Sequence, residues 1–273
     1  MLNIFITGAS SYLGINVLKN IKNHNFFALS HRSPISEFEN VKVVSIKDIE
    51  FSDYFNENKI DVIFHFATNS NRDISENNLI ETKKTNLDLG KLIYSSAQDS
   101  NIKLFVNTGS YSQDIFETPP NFYVETKNLF GNYLKKNLND QLAVLNLHLG
   151  DVYGAGDFRK KLIPYLLESE NLEFVNLDSN GKGCFAPIYI KDILKILKKE
   201  LNSTSKDYKY KKLILANSVC SVEEFIEQYK VIRRKSFDVR FNLQIKNPYE
   251  NFIKLNDKEL LSFTNLRQGL LSL

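Results

Sequence analysis

The sequence predicts an α/β fold: a doubly wound parallel sheet with a smaller C-terminal α/β lobe. Short, almost continuously apolar runs of strand length alternate with longer helical patterns through the first half of the chain. Strands that are apolar on both sides belong to parallel sheets with helices on both faces. A glycine-bearing turn joins the first such run to the first helical pattern. With 273 residues the chain can bury one large core plus an attached lobe. Residues 1–150 are expected to form the main domain, completed by strands from 186–217, with 151–185 and 218–273 in the lobe.

The elements follow from these runs in order. Strands are expected at Leu2–Thr7, Phe26–Ser30, Val41–Ser45, Asp61–Phe66, Lys103–Asn107 and Leu142–Leu147. Helical periodicity lies between them, at Tyr12–Asn23, Leu79–Ser95 and Tyr123–Asn137. After Gly150 the pattern loosens into a helix at Lys160–Ser169, a strand at Leu172–Val175 and a loop from Asp178 to Pro187. A helix at Lys191–Leu201, a strand at Lys212–Ala216 and a helix at Val222–Arg233 follow, with the polar stretch Asn202–Tyr210 read as a surface loop.

Composition narrows the function classes. The hydrophobic and charged fractions, 42% and 25%, are those of an ordinary globular chain. A formal charge of +3 gives no reason to expect nucleic acid and suits a mildly basic cleft for phosphates. Cys184 and Cys220, with four scattered histidines, show no metal-ligand spacing and no disulfide framework. The first residues run straight into a strand, without a charged leader or a long apolar stretch. The expectation is a cytoplasmic protein with no membrane span.

Ligands of such sheets bind outside the carboxyl ends of the strands, so residues just after each strand matter most. Thr7-Gly8-Ala9-Ser10-Ser11-Tyr12-Leu13-Gly14 occupies the first of these positions. Glycine permits a tight turn and close approach to a pyrophosphate, whose charge the helix N-terminus stabilises. That points to a Rossmann-type dinucleotide site. The second strand ends in Ser30-His31-Arg32, without the acid that an NAD site places against the ribose hydroxyls. Arg32 could clamp a 2′-phosphate through its planar fork or be a solvated loop residue. NADP(H) is favoured on this basis, with NAD(H) the alternative.

Ser110 follows the fifth strand, and Tyr123 and Lys127 open a later helix. Four residues apart, Tyr123 and Lys127 share a helical face one turn apart. An ammonium near a phenol favours the phenolate and lowers its pKa from about 10. The phenol then becomes a usable proton donor or acceptor near neutrality. A serine hydroxyl beside it can polarise a substrate oxygen.

On these residues the chain resembles the extended short-chain dehydrogenase/reductase family of nucleotide-sugar epimerases, dehydratases and reductases, nearly end to end. Residues Thr7 to Gly14 resemble its glycine loop, with Ser11 in place of the middle glycine. Asp48-Ile49 is similar to the acid–aliphatic pair against the adenine, and Asp61 to Thr68 to the fourth strand and the turn beneath the cofactor. Asn86 resembles the asparagine of the long helix, and Ser110, Tyr123 and Lys127 the catalytic triad. Val152 to Asp157, Ile188 to Asp192 and Phe263 to Leu270 resemble the later substrate-region segments. Within the family, His65 to Arg72 and Phe105 to Ser110 look most like nucleotide-sugar 4-ketoreductases of the CDP-abequose and CDP-paratose synthase type.

The resemblance implies a cofactor held by Gly8, Ser10, Ser11, Tyr12, Leu13, Gly14, Ser30, His31, Arg32, Asp48, Ile49, Phe66, Ala67, Thr68, Asn86, Tyr123 and Lys127. It implies a nucleotide-sugar facing Asn69, Ser110, Tyr111, Asp151, Lys161 and Cys184. Asp151 stands where the family often has an asparagine, and either meets phosphate or organises backbone. Lys161 and Lys182 could neutralise a diphosphate or be solvated. The family's phosphate-binding arginine near Cys184-Phe185 is missing. Tyr165 and Tyr189 are read as packing residues, and His148 as a satisfied core histidine. Dehydration is disfavoured, because Tyr111-Ser112-Gln113 replaces the Asp-Glu pair of dehydratases beside the serine. Epimerisation next to a keto group would need a second acid–base pair; Cys184 is a candidate without a histidine partner, and is read as filler.

Net reduction of a 4-keto-deoxyhexose on a nucleoside diphosphate, for a surface-polysaccharide sugar, is therefore the expected activity. The alternatives are a 4-epimerase with bound NAD and a catalytically silent NAD(P)-binding regulatory protein. The resemblance also implies a homodimer built on the helices Leu79–Ser95 and Tyr123–Asn137.

Overall fold

The computed structural model describes every residue except 31–37, 48, 72, 204–205 and 257. The first half runs β1 (Asn3–Thr7), α1 (Tyr12–Asn20), β2 (Asn25–Ser30), β3 (Val41–Ser45), α2 (Phe51–Glu57) and β4 (Val62–His65). It continues with α3 (Glu76–Lys83), a π-helical turn (Lys84–Asp88), α4 (Leu89–Gln98), β5 (Leu104–Ser110), α5 (Ser112–Ile115), α6 (Phe122–Lys136) and β6 (Ala143–Leu149). Then come β7 (Asp151–Tyr153), α7 (Leu162–Ser169), β8 (Phe174–Leu177), β9 (Cys184–Phe185), β10 (Pro187–Tyr189) and α8 (Ile190–Asn202). The chain closes with β11 (Tyr210–Leu215), β12 (Cys220–Ser221), α9 (Val222–Arg233), β13 (Asp238–Phe241), β14 (Leu260–Leu261) and α10 (Leu266–Leu271).

Eight strands form one sheet in the order β14-β11-β6-β5-β4-β1-β2-β3, every neighbouring pair parallel. Strand order reverses between β1 and β4, which makes their carboxyl ends the natural ligand crevice. The alternation of buried residues explains the apolar runs. Ile4, Ile6, Val62, Phe64, Leu104 and Val106 pack on one face with α1 and α8 residues such as Val17 and Ile193. Phe5, Ile63, Phe105 and Val144 pack on the other with Phe51 and Phe55 of α2, Tyr94 of α4 and Phe130 of α6. Each fully buried apolar side chain contributes on the order of 1.5–3 kcal/mol, so two covered faces give the sheet its stability.

The expected parallel sheet is present, and its edges show where the sequence pattern was incomplete. Helix α1 ends at Asn20 rather than Asn23, because Asn23 takes a left-handed φ of 66° that turns the chain into β2. The long helix expected at Leu79–Ser95 is present and runs without interruption from Glu76 to Gln98, with a π turn in its middle that carries buried Asn86. The expected loop from Asp178 to Pro187 contains β9, which pairs antiparallel with β12, and leads into β10, parallel to β7. Strands β8 and β13 form a third small pair. Buried Asp192 in α8 then draws the C-terminal segment back: its carboxylate accepts the Phe263 and Thr264 amides at 2.9 Å each and the Thr264 hydroxyl at 2.6 Å. That return lets β14 pair with β11 at the sheet edge. Among the described residues, no helix is long and apolar enough to cross a membrane.

Candidate active site

A cleft of about 1290 Å³ opens at the carboxyl ends of β1, β4, β5 and β6 and runs into the smaller lobe. The first turn of α1 forms one end. Gly8 has φ +69°, and a Cβ there would lie 2.7 Å from the Phe66 carbonyl carbon and the Ala67 nitrogen, so only glycine fits. Gly14 is packed against the Gly8 and Ala9 backbone in the same way. Ser11, in place of the middle glycine, has an ordinary extended backbone (φ −72°, ψ 163°), and its hydroxyl caps α1 by accepting the Gly14 amide at 3.0 Å. The substitution therefore keeps the turn and adds a helix cap. Ser11, Tyr12 and Leu13 line the cleft, while Gly8, Ser10 and Gly14 lie outside its wall. A tight, glycine-enforced turn that presents a helix N-terminus to a cleft fits a dinucleotide diphosphate.

The turn after β4 is fixed from beneath. The Thr7 hydroxyl accepts the Ala67 amide at 3.0 Å and lies 3.1 Å from the His65 ring. Burial, reinforced by the charge of Lys127, pushes the His65 pKa down to about 3, so this ring stays neutral. Asn86 holds the next residues: its carbonyl oxygen accepts the Asn69 amide at 2.7 Å and the Thr68 hydroxyl at 3.1 Å. Its amide group donates to the Asn69 carbonyl at 3.0 Å and to Thr126 of α6 at 3.2 Å. Phe66 and Thr68 reach the cleft; Ala67, Asn69 and Asn86 form the layer behind it. Ser30 ends β2, and its carbonyl accepts the Ile46 amide at 3.2 Å, while Ile49 packs on the α2 side of the core. His31, Arg32 and Asp48 lie outside the described residues.

Ser110, Tyr123 and Lys127 all line this cleft. Asn121 caps α6 by accepting the Val124 amide at 3.1 Å, which places Tyr123 and Lys127 in its first two turns. Lys127 is 4% exposed, and its ammonium donates to the Thr108 carbonyl at 2.8 Å and lies 6.0 Å from the centre of the Tyr123 ring. Burial lowers its pKa from 10.5 to about 8. Ser110 closes β5; its hydroxyl accepts the Ser112 amide at 3.3 Å, and its own amide donates to the Gln113 side chain at 2.8 Å. The arrangement can do acid–base chemistry on one substrate oxygen: a phenol, a cation that favours its phenolate, and a hydroxyl.

Tyr111, Asp151, Lys161 and Cys184 line the same cleft, and Lys182 does not. Asp151 organises backbone: its carboxylate accepts the Ala186 amide at 2.9 Å, joining β7 to the β9–β10 segment. The Tyr111 hydroxyl lies 3.3 Å from the Cys184 sulfur, and burial, the Asp151 charge and Cys184 hold its pKa well above the usual tyrosine range. Cys184 is partly exposed to the cleft rather than buried filler. Asp114 is engaged away from the serine, with His148 at 2.5 Å and Lys212 at 2.6 Å. His148 also meets Asn146 at 3.0 Å, as expected of a satisfied core histidine. Tyr189 is 4% exposed and meets Ser272 at 2.9 Å; Tyr165 is more exposed and donates to the Asn176 carbonyl at 2.9 Å.

Sequence reasoning singled out Val152 to Asp157 in the loop after β7 but missed Arg159 beyond it. Arg159 stacks on Tyr12, 4.6 Å from the ring centre, and its fork is held by Asp157 through two 2.7 Å bonds. It also missed Asn247 and Tyr249, which line the cleft from the far end of the chain. Asn121, also missed, carries a signal that would have found it, a capping residue just ahead of a helical pattern; Asn247 and Tyr249 carry no local signal.

Comparison with known proteins identifies the family. The profile of the NAD dependent epimerase/dehydratase family matches residues 4–216. CDP-abequose synthase of Salmonella muenchen is 27% identical over 215 residues, 73% of this chain and 71% of that protein. Among solved structures, UDP-glucose 4-epimerase of Thermotoga maritima with UDP-glucose superposes with a TM-score of 0.80 at 17% identity, covering 99% of this chain and 97% of that one. UDP-glucuronic acid 4-epimerase of Bacillus cereus with UDP-glucuronic acid and NAD gives a TM-score of 0.77 at 14% identity, with the same coverage. The chain therefore belongs to the NAD dependent epimerase/dehydratase family and is an enzyme of the extended short-chain dehydrogenase type.

Proposed function

We propose that the enzyme reduces a 4-keto-deoxyhexose carried on a nucleoside diphosphate, with NADPH as the favoured reductant, to make a sugar for a surface polysaccharide. The observation that carries this reading is the convergence of Ser110, Tyr123 and Lys127 in one cleft with the glycine turn at its end. The similarity to a CDP-abequose synthase supports the reaction class, and Ser30-His31-Arg32, with no acid after β2, supports NADPH.

Residues Ser11 to Leu13 would hold the dinucleotide diphosphate, and Lys127 the nicotinamide ribose. The bound nicotinamide would supply hydride chemistry. Tyr123 gives its proton to the sugar's carbonyl oxygen, and Ser110 donates a hydrogen bond to the same oxygen as its negative charge develops. Lys127 uses one N–H on the Thr108 carbonyl, which fixes the ammonium and leaves its field on the phenolate that remains. No acid pair flanks Ser110 as dehydration would require, since Tyr111 and Ser112 stand beside it and Asp114 is bound elsewhere.

In this reading residues 1–150, completed by strands from 186–217, bind the dinucleotide, and residues 151–185 and 218–273 receive the nucleotide-sugar. Two copies associate through α3–α4 and α6, whose Ile80, Leu92 and Leu129 are 43%, 51% and 46% exposed. The protein works in the cytoplasm, where nucleotide-sugars and nicotinamide cofactors are made. A 4-epimerase is the second reading, favoured by the fold shared with NAD-bound 4-epimerases.

Denaturing the purified protein and identifying what it releases separates the two. Released stoichiometric NAD indicates the epimerase. Protein that carries little cofactor and oxidises NADPH only when a nucleotide-linked 4-keto sugar is added indicates the reductase. A panel of CDP-, UDP-, GDP- and dTDP-linked 4-keto sugars then identifies the base.

A further inference from the structure

We infer that Tyr249 is a positioning residue for the catalytic helix: the C-terminal segment that walls the cleft sets the placement of Tyr123 through the Asn121 cap. The inference rests on the reading of Tyr123 as the proton donor.

Asn121 uses both ends of its side-chain amide. The carbonyl oxygen takes the Val124 amide and so begins α6, and the NH2 group donates to the Tyr249 phenol. With both ends engaged, the cap cannot rotate without breaking one of them. Tyr123 is the second residue of the helix that this cap begins, so the cap's position sets where its phenol sits.

Tyr249 is itself fixed on three other sides. It is 6% exposed, its carbonyl accepts the Cys184 amide at 3.0 Å, and its amide donates to the Asn247 side chain at 3.0 Å. Its ring meets Phe116 edge-on at 5.7 Å, and nearby the Ile253 amide donates to the Ile115 carbonyl at 2.9 Å. Asn247 and Tyr249 face the cleft, so a nucleotide-sugar lying there presses on the segment that holds the cap. Filling the cleft and aligning Tyr123 are thereby coupled through one hydrogen bond, 128 residues apart in sequence.

Two small changes test this. Tyr249→Phe removes only the hydroxyl, and Asn121→Ser keeps a capping oxygen while losing the NH2 group. Each is expected to lower kcat roughly tenfold, with the KM for NADPH unchanged and folding retained. The double variant should fall no further than either single one, because the same bond is broken. Hydrogen exchange at the first turn of α6 should quicken in both. Wild-type kcat in Tyr249→Phe, or losses that multiply in the double variant, would overturn the inference. If the wild-type protein turns over no nucleotide-sugar with either cofactor, the functional reading fails instead. Exchange then decides alone: an α6 first turn that is equally protected in all three proteins overturns the coupling.

Discussion

Lys127 offers a prediction whose size follows from its surroundings. It is 4% exposed, with a pKa lowered from 10.5 to about 8 by burial. At pH 7 the group is charged in both folded and unfolded chains, so folding bears the full cost of burying an ammonium. Between about pH 8 and 10.5 the folded chain has released this proton and the unfolded chain has not. Stability therefore rises with pH across that window, is fully present above 10.5, and is lost as pH falls through 8. A shift of about 2.5 pH units corresponds to about 3 kcal/mol. Lys127→Met carries no such proton. Thermal or urea unfolding of both proteins in a Tyr123→Phe background, in parallel from pH 7 to 10, isolates it, because the groups not coupled to Lys127 cancel in the difference. The wild type should gain most of that 3 kcal/mol relative to Lys127→Met, roughly 4–6 °C in Tm for a chain of this size. A difference that stays flat with pH would refute the buried, desolvated ammonium.

Other predictions follow from the same geometry. Gly8→Ala forces a Cβ against the Phe66–Ala67 backbone at a positive φ, and should cost about 1–3 kcal/mol of stability and weaken dinucleotide binding, both measurable by thermal shift with and without cofactor. Asn86→Ala removes the partner of the part-buried Asn69 backbone and of the Thr126 hydroxyl, which keeps its bond to the Tyr123 carbonyl, and should destabilise by about 1–2 kcal/mol in urea unfolding. For His65 the burial-driven pKa near 3 means stability is present above pH 6.5 and lost as pH falls toward 3; acid unfolding of His65→Gln should show a smaller loss in that window. Leu92→Lys combined with Leu129→Lys should turn a dimer into a monomer by light scattering.

How much the sequence disclosed depends on how local each signal was. The strands were legible because both sheet faces are covered, which makes runs such as Ile4-Phe5-Ile6 apolar throughout. Tyr123 and Lys127 stood out because one helical turn puts them on one face, and Ser110 because it follows the fifth strand, where ligands of such sheets bind. The π turn at Asn86 was not legible, because it answers to tertiary bonds with Asn69 and Thr126 and leaves no mark on apolar periodicity. Helix α2 escaped notice because Phe51 and Phe55 pack on Phe5 from a short, polar stretch. Tyr249 and Arg159 became visible only in three dimensions: each joins the cleft through a partner more than 100 residues away, Asn121 and Tyr12 respectively.

The most direct test of the account follows the hydrogen itself. NADPH deuterated at the transferable position of its nicotinamide is supplied with a nucleotide-linked 4-keto-6-deoxyhexose, and the product sugar is examined by NMR and mass spectrometry. The account predicts one deuterium at C4 for each NADPH consumed, and a loss of this transfer by roughly 10²–10⁴-fold in Tyr123→Phe with cofactor affinity retained. Transfer that persists in Tyr123→Phe, or a 4-epimer formed with no NADPH consumed, would contradict it.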